Sequence, residues 1–540
     1  MFRSKQFHSI AILIIAASTF TFTASAADNV KIETGVLAGA INADGTVRMF
    51  KNVPFAAPPV GQLRWKAPQP AAKWEGVRPA DKFGSACMQT DVFGDIYFRD
   101  AKPSEDCLNL DIWIPAKPAT PGKIPVILWY YGGGFVAGSA SEPRYDGENL
   151  AKKGVIVVNS NYRLGAFGFL AHHELTKESG HNASGNYALL DQNAALKWVV
   201  KNIAAFGGDP KNITIAGESA GSFSVCAQMA TSLSRGLFQK AIGESGAFFP
   251  SRTEEGRWLK PLADAEKYGA EFAESMGAKT LAELRAKSAD DVLQAAAKRN
   301  RGFDFGPILD GYFFTSDPAT IYSQKKQAQV SLLAGWNADE GKMNILFNPQ
   351  KPTVKSFEQQ AKDRFADEAA EFLKLYPAAS DEEAIKSAEA LAGDDFIAYS
   401  TWKWLNLQVE SGATVYTYRF EQVPATKPGA MLGPVPASEV GSRHAGEIEY
   451  VFQTLKSVDV PWTEGDFKVS DAMSSYWANF AKSGNPSGPG LPEWPVYSKA
   501  DGFQVMRLSA ANMKAEAEPN RGRYLFLDAQ VAKAKAQKAK

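Results

Sequence analysis

The sequence predicts an α/β protein built on one large, mostly parallel central sheet flanked by helices. Three observations carry this reading. Apolar, β-branched runs bounded by Gly or Pro recur at 125–131 (PVILWYY), 154–159 (GVIVVN), 212–216 (NITIA), 330–335 (VSLLAG) and 413–420 (ATVYTYRF). Near-continuous runs suit strands covered on both faces, because a strand with one wet face alternates instead. Segments with a 3.6-residue period lie between them, as at 190–206 (LDQNAALKWVVKNIAAF). Strand and helix patterns alternate, and no Ser/Gly/Pro linker is long enough to separate domains, so 27–528 reads as a single unit.

Composition agrees with a globular protein. The 540 residues carry 59 Lys+Arg against 59 Asp+Glu, 45% hydrophobic positions and 3 Cys. This excludes wholesale disorder, a collagen repeat and a cystine-stapled miniprotein. Zero formal charge argues against a nucleic-acid partner, which calls for a basic face.

At the N-terminus, Arg3 and Lys5 precede an apolar run at 10–22, and Ala24-Ser25-Ala26 follows. A charged start, a short apolar core and an Ala-x-Ala ending describe a secretory signal peptide over 1–26. The run is too short and too rich in Thr to span about 30 Å of hydrocarbon. No later stretch approaches twenty uninterrupted apolar residues, so stable membrane insertion is not expected. The mature chain is read as exported, periplasmic or secreted. Its cysteines, Cys87, Cys107 and Cys226, then belong to an oxidising compartment. Cys226 falls in the apolar phase of a helix and reads as a buried free thiol. No Cys/His spacing typical of a zinc site occurs, and no metal or other cofactor is expected.

The run at 125–131 leads into Tyr131-Gly132-Gly133-Gly134-Phe135. Glycines let the backbone approach a substrate closely and aim N–H groups at a developing oxyanion. After 212–216 comes Gly217-Glu218-Ser219-Ala220-Gly221, followed by the helical 222–230 (SFSVCAQMA). That strand-turn-helix setting is the one the G-x-S-x-G elbow requires. It lifts the Ser219 hydroxyl to the sheet edge, beside a helix N-terminus whose dipole favours negative charge, and makes the Ala220 amide an oxyanion donor. The arrangement predicts an α/β-hydrolase fold, in which serine, acid and histidine follow in that chain order.

The serine needs a base. Beyond the leader, the histidines are His172, His173, His181 and His444, and only His444 follows Ser219. The acid should lie between them, on a loop after a strand. Asp339 and Glu340 follow the run at 330–335, and physical reasoning leaves both open. Asp310 reads as the anchor of its own turn. Ser245, in Gly243-Glu244-Ser245-Gly246, lacks the elbow spacing. The stretches 255–300 and 355–410, rich in Ala, Glu and Lys, predict helical insertions that cap the catalytic edge or scaffold it. The segment 529–540 carries four Lys and no acid and reads as a flexible basic tail.

With these elements in place, the chain resembles the type-B carboxylesterase/lipase family over most of its length. The match includes Val53-Pro54-Phe55-Ala56, Gly61-Gln62-Leu63-Arg64-Trp65, Ser104-Glu105-Asp106-Cys107-Leu108, the glycine loop, Asn161-Tyr162-Arg163-Leu164-Gly165, Phe206-Gly207-Gly208-Asp209-Pro210, the elbow, and 444–452 (HAGEIEYVF). The resemblance implies Glu340 as the acid, Gly133 and Gly134 as oxyanion glycines, and a Cys87–Cys107 disulfide. It also implies the ion pairs Arg64–Glu105 and Arg163–Asp191. Phe248 and Phe249 fall where the family lines its acyl pocket, and Tyr131 stands where the family often has His. These three are the substrate-contact candidates. No Trp lies between Cys87 and Cys107, where cholinesterases stack a quaternary ammonium, so cholinesterase activity is not expected.

The expected activity is hydrolysis of small-molecule carboxylic esters through an acyl-enzyme, with His444 titrating near 6 to 7. The alternatives are a catalytically silent adhesion protein or a lipase on the same scaffold. The layout is similar to bacterial detoxifying carboxylesterases, which makes tricarballylate esters such as fumonisin a candidate substrate. An anionic acyl group calls for a nearby cation. Arg144, Arg301 and Arg443 are the candidates, each otherwise an ordinary surface charge. Oligomeric state has no signature in the sequence.

Overall fold

The computed structural model describes residues 28–538 apart from 95, 100 and 252–258. The signal peptide expected at 1–26 lies outside the described residues. The chain enters through an antiparallel group: β1 (Asp28–Ile32), β2 (Gly35–Ile41) and β3 (Val47–Pro54), with β4 (Val77–Pro79) added alongside β2. Then come β5 (Asn109–Pro115), β6 (Ile124–Tyr130), β7 (Ile156–Ser160), β8 (Gly208–Glu218), β9 (Lys240–Glu244), β10 (Ser331–Asn337), β11 (Val415–Phe420), β12 (Gln504–Leu508) and β13 (Met513–Ala517). Their order across the sheet is β1-β2-β3-β5-β7-β6-β8-β9-β10-β11-β12-β13. Every pair from β7 to β12 is parallel, the remaining pairs in that order are antiparallel, and β4 lies parallel to β2.

Parallel neighbours need crossovers, which helices supply. Helix α1 (Tyr187–Asn202) joins β7 to β8, and α2 (Ala220–Ala230) joins β8 to β9. With helices on both faces, the central strands have no wet side. All five residues of β7 and of β9 are buried, including the polar Lys240 and Glu244. This is the physical reason the runs are continuous rather than alternating.

The two expected insertions are helical. The first holds α3 (Leu262–Ser275), α4 (Leu281–Arg285) and α5 (Ala289–Ala297). The second holds α6 (Val354–Phe365), α7 (Ala369–Leu375), α8 (Asp381–Gly393) and α9 (Tyr399–Glu410). Both leave from the carboxyl ends of sheet strands and return a side chain to the sheet edge, Phe303 and Phe396 respectively. Helix α10 (Glu464–Ser483) precedes β12, and α11 (Arg521–Lys538) ends the described chain. The segment read as a flexible tail from 529 is therefore helical through Lys538. Gln530 and Lys533 on its flank both bind the Glu368 carboxylate, and Val531 packs on the core. An amphipathic helix with apolar anchors at Leu527 and Val531 outweighs the local lysine repeat.

Both implied ion pairs are present. Arg163 forks onto Asp191 at 2.7 and 2.8 Å, with side chains 3% and 0% exposed. Arg64 forks onto Glu105 and also donates to the Arg285 and Lys287 carbonyls, tying the cysteine loop to the first insertion. Cys87 and Cys107 form a disulfide, while Cys226 is a buried thiol whose pKa burial pushes up to about 12. Removing both half-cystines (C87S/C107S) should cost about 3 kcal/mol on the chain-entropy account of a loop of this length. Urea unfolding of the oxidised protein and the double variant tests this. An unchanged midpoint would mean that Arg64 and its partners alone hold the loop.

Candidate active site

The elbow lies where β8 turns into α2. Ser219 has φ 53° and ψ −121°, a conformation that L-residues rarely adopt and that persists only where its surroundings enforce it. The Ser219 N–H donates to the Glu244 carbonyl of β9 at 2.8 Å, and Phe223 N–H donates back to the Ser219 carbonyl. The flanking glycines are steric necessities. A Cβ on Gly221 would lie 1.9 Å from the Tyr130 carbonyl oxygen, and one on Gly217 would lie 2.5 Å from the Gly221 backbone. The tight turn brings strand, helix and glycine loop together and leaves no room for side chains.

His444 reaches Ser219 from a loop far along the chain. Residues 421–443 intervene after β11, and the excursion is tied back by Ser442 Oγ donating to the Phe420 carbonyl. Imidazole Nε2 lies 2.9 Å from Ser219 Oγ, and Nδ1 lies 2.6 Å from Glu340 Oε2. Glu340 is itself held, its Oε1 accepting the Asn337 N–H at 2.9 Å. Asp339 faces elsewhere. Its carboxylate accepts the Ser442 N–H, and its own N–H donates to the Ser442 carbonyl, so it clamps the histidine loop by the backbone. Geometry thus separates two adjacent carboxylates that sequence physics leaves equivalent.

The glycine loop runs against the nucleophile. A Cβ on Gly132 would lie 3.2 Å from Ser219 Cβ. Gly133 and Gly134 have φ 100° and 61°, left-handed values that glycine adopts without penalty. No acceptor among the described residues takes the Gly133 or Gly134 N–H. Ala220, first residue of α2, carries an amide with no partner one turn back. An alkoxide-like oxygen beside Ser219 would meet such donors.

Tyr131, read from the sequence as a substrate contact, exposes no surface in this structure. It is fully buried, its ring stacked on Tyr162 at 4.3 Å, and its hydroxyl donates to the Tyr162 carbonyl at 3.0 Å. Tyr162 returns a 2.6 Å bond to the Tyr131 carbonyl, so the pair props the glycine loop from behind. Phe248 and Phe249 are each 3% exposed. Phe248 packs edge-on against Phe223 of α2 and against Phe314, and Phe249 against Tyr322. Arg144 is no surface charge; it is buried and paired with Glu142 at 2.8 Å. Arg301 donates to the Val92 carbonyl two residues before Phe303, whose ring would meet a Cβ on Gly134 at 2.6 Å. Arg443 is half-buried, and its carbonyl accepts from Asn337 at 2.7 Å. Asp310 binds the Tyr312 and Phe314 N–H groups of its own turn, and Ser245 is buried with its hydroxyl donating to Glu447.

The other histidines serve local structure. His172 Nδ1 caps the short helix His173–Glu178 by accepting the Glu174 N–H, and His181 stacks on Tyr312. His172, His173 and Glu174 do bring ligand atoms within 4.8 Å of one another. One of the His172 nitrogens is already used as that cap.

A residue that motif reading passed over is Glu218, which looks like an elbow filler. It is 2% exposed, and its Oε1 lies 3.4 Å from His444 Nε2. Burial raises its carboxyl to about 8, against the lowering pull of His444. For His444, burial works to lower the imidazole, but Glu340 and Glu218 more than offset it and raise it to about 9. This corrects the expected value near 6 to 7. Only neutral imidazole accepts a proton, so the active form grows as pH rises through the raised pKa and is lost below it. The acid limb of kcat/KM for p-nitrophenyl acetate should sit above the unperturbed imidazole value. A limb at or below about 6.5 would contradict the field of these two carboxylates.

A parallel sheet carrying a strained serine at a strand-to-helix turn, with carboxylate and imidazole arriving in that chain order, is an α/β-hydrolase. A family model described as the carboxylesterase family matches residues 26–527. Fumonisin B1 esterase of Sphingopyxis macrogoltabida is 35% identical over 519 residues, covering 92% of this chain and 90% of that protein. Para-nitrobenzyl esterase of Bacillus subtilis (strain 168) is 35% identical over 501 residues, covering 89% and 95%. A solved PNB esterase structure superposes with TM-score 0.78 at 31% identity, covering 92% of this chain and 98% of that one. The chain belongs to the carboxylesterase family and is a carboxylic-ester hydrolase. Among the described residues, no helix is long and apolar enough to cross a membrane.

Proposed function

We propose that the protein is an exported serine carboxylesterase working through an acyl-enzyme. The observation that carries this is the continuous chain Glu340–His444–Ser219, at 2.6 and 2.9 Å, ending beside unpartnered glycine-loop amides. Ser219 Oγ attacks the ester carbonyl while His444 Nε2 takes its proton. Glu340 holds the imidazolium, and the N–H groups of Gly133, Gly134 and Ala220 hold the oxyanion. The imidazolium protonates the departing alcohol. Water then attacks the acyl-enzyme with His444 again as base, and the carboxylic acid leaves. Every proton taken is returned, so the cycle calls for neither metal nor cofactor. Phe248 and Phe249 wall the acyl side.

For substrate, the reading extends to tricarballylate esters such as fumonisin, supported by the 35% identity to a fumonisin B1 esterase across 92% of the chain. Arg301, whose guanidinium donates to the Val92 carbonyl, is the cation this reading assigns to an anionic acyl group. Export is supported by the 1–26 leader and by the disulfide. Fluorophosphonate labelling followed by peptide mapping, together with rates on p-nitrophenyl acetate and a tricarballylate ester, tests the whole reading. Label on Ser219 and turnover of both esters is the expected result. Turnover of the neutral ester alone removes the substrate assignment, and label absent from Ser219 removes the mechanism.

A further inference from the structure

The second insertion contains a feature that esterase chemistry does not by itself require. Between α8 and α9 the chain makes one turn of π-helix, Asp394–Ala398. Such turns insert a residue and so shift which side chain faces which way, and they concentrate at functional sites. Here the shift sends neighbouring side chains in opposite directions. Asp394, 3% exposed, accepts the Tyr376 hydroxyl at 2.7 Å and pairs with Arg523 at 3.0 Å. Asp395 takes a two-pronged bond from Arg364, at 2.6 and 2.7 Å, and accepts Ser251 Oγ at 2.6 Å. Phe396, the next residue, turns inward and meets the His444 imidazole, with ring centroids 5.0 Å apart and planes inclined at 63°. The same turn supports the acid. A Cβ on Gly393 would lie 3.7 Å from Glu340 Cβ, and one on Gly341 would lie 2.2 Å from the Gly393 backbone nitrogen.

An imidazole held at Nδ1 by Glu340 keeps one soft motion, a small swing about that bond which carries Nε2 sideways. That motion matters because Nε2 has two partners in reach, Ser219 Oγ at 2.9 Å and Glu218 Oε1 at 3.4 Å. A tilt towards Ser219 gives a working base. A tilt towards Glu218 gives a buried imidazolium–carboxylate pair that accepts no proton. The carboxylates facing the ring are Glu340, Glu218 and, further off, Glu447, so charge alone does not favour the serine.

We propose that Phe396, braced from behind by the Asp394 and Asp395 ion pairs, is the positioning residue that holds His444 on Ser219 and off Glu218. This rests on the Ser219–His444–Glu340 reading and adds to it a device that selects between two partners of one nitrogen.

The test is a double-mutant cycle read in kcat, KM and the pH profile of p-nitrophenyl acetate hydrolysis. Phe396→Ala is expected to lower kcat by up to about 10²-fold, with KM little changed. It should also move the acid limb to higher pH, as the imidazolium gains Glu218. Phe396→Leu, which keeps an apolar contact, should fall between; if Phe396→Ala does not fold, the Leu variant alone should show the limb moving the same way. In a Glu218→Gln background the Phe396 substitution should lose most of its effect, because the competing partner has gone. Wild-type kcat and limb in Phe396→Ala would overturn the proposal. So would a loss of the same size in both backgrounds with no movement of the limb, since that is the signature of general loosening. Wild-type enzyme that takes no fluorophosphonate at Ser219 would instead overturn the triad reading, and the proposal with it.

Discussion

Ser219→Ala is expected to lower kcat by about 10⁶-fold while leaving the protein folded. The size follows from losing the nucleophile in a unit whose members act together; what remains is the rate supplied by the oxyanion donors and substrate binding. Folding should survive because the constraint on residue 219 is carried by backbone. Its N–H bonds the Glu244 carbonyl, its carbonyl takes the Phe223 N–H, and the φ of 53° costs Ala much what it costs Ser. Among the described residues, the hydroxyl's hydrogen-bond partner is His444. Circular dichroism and a melting curve, run beside a p-nitrophenyl acetate assay, check both halves. Substantial turnover in a cleanly folded variant would mean that another group attacks. Ser245 is a poor substitute, buried and bonded to Glu447 in the turn that follows His444.

Glu340→Gln is expected to lower kcat by about 10⁴-fold with a much smaller change in KM. The carboxylate holds the tautomer in which Nδ1 carries the proton and Nε2 is bare towards Ser219. An amide in its place can present its NH₂ to Nδ1, forcing the proton onto Nε2, where it blocks attack. The substitution also removes the strongest of the carboxylate pulls that raise the His444 pKa, so the residual activity should show its acid limb at lower pH than wild type. Asp339→Asn is the matched control. Its carboxylate binds the Ser442 N–H rather than the imidazole, so the effect should be far smaller. Equal losses in the two variants would show that the loop as a whole, rather than one carboxylate, supports the base.

Much of this site was legible before any coordinates. The central strands announced themselves as unbroken apolar runs because helices cover both sheet faces. Ser219 was readable because the elbow's steric demands are local, with glycine required at 217 and 221 by approaches of 2.5 and 1.9 Å. His444 followed by elimination. Other features left no local trace. Tyr131 sits in a motif that elsewhere faces substrate, yet stacking on Tyr162 turns it inward. The Lys-rich end looked like a tail because its repeat says nothing of the groove in which Leu527 and Val531 pack.

By itself the sequence determined the reaction class and narrowed the proposed nucleophile and base to Ser219 and His444, since these are written in contiguous residues or in a count of histidines. The tertiary structure decided which of two adjacent carboxylates serves His444, where Tyr131 points, and how strongly Glu218 and Glu340 bias the imidazole. These depend on side-chain direction and on the desolvation of charges brought together from positions up to 225 residues apart. Distance and burial set an electrostatic field, and neither is a property of any segment read alone.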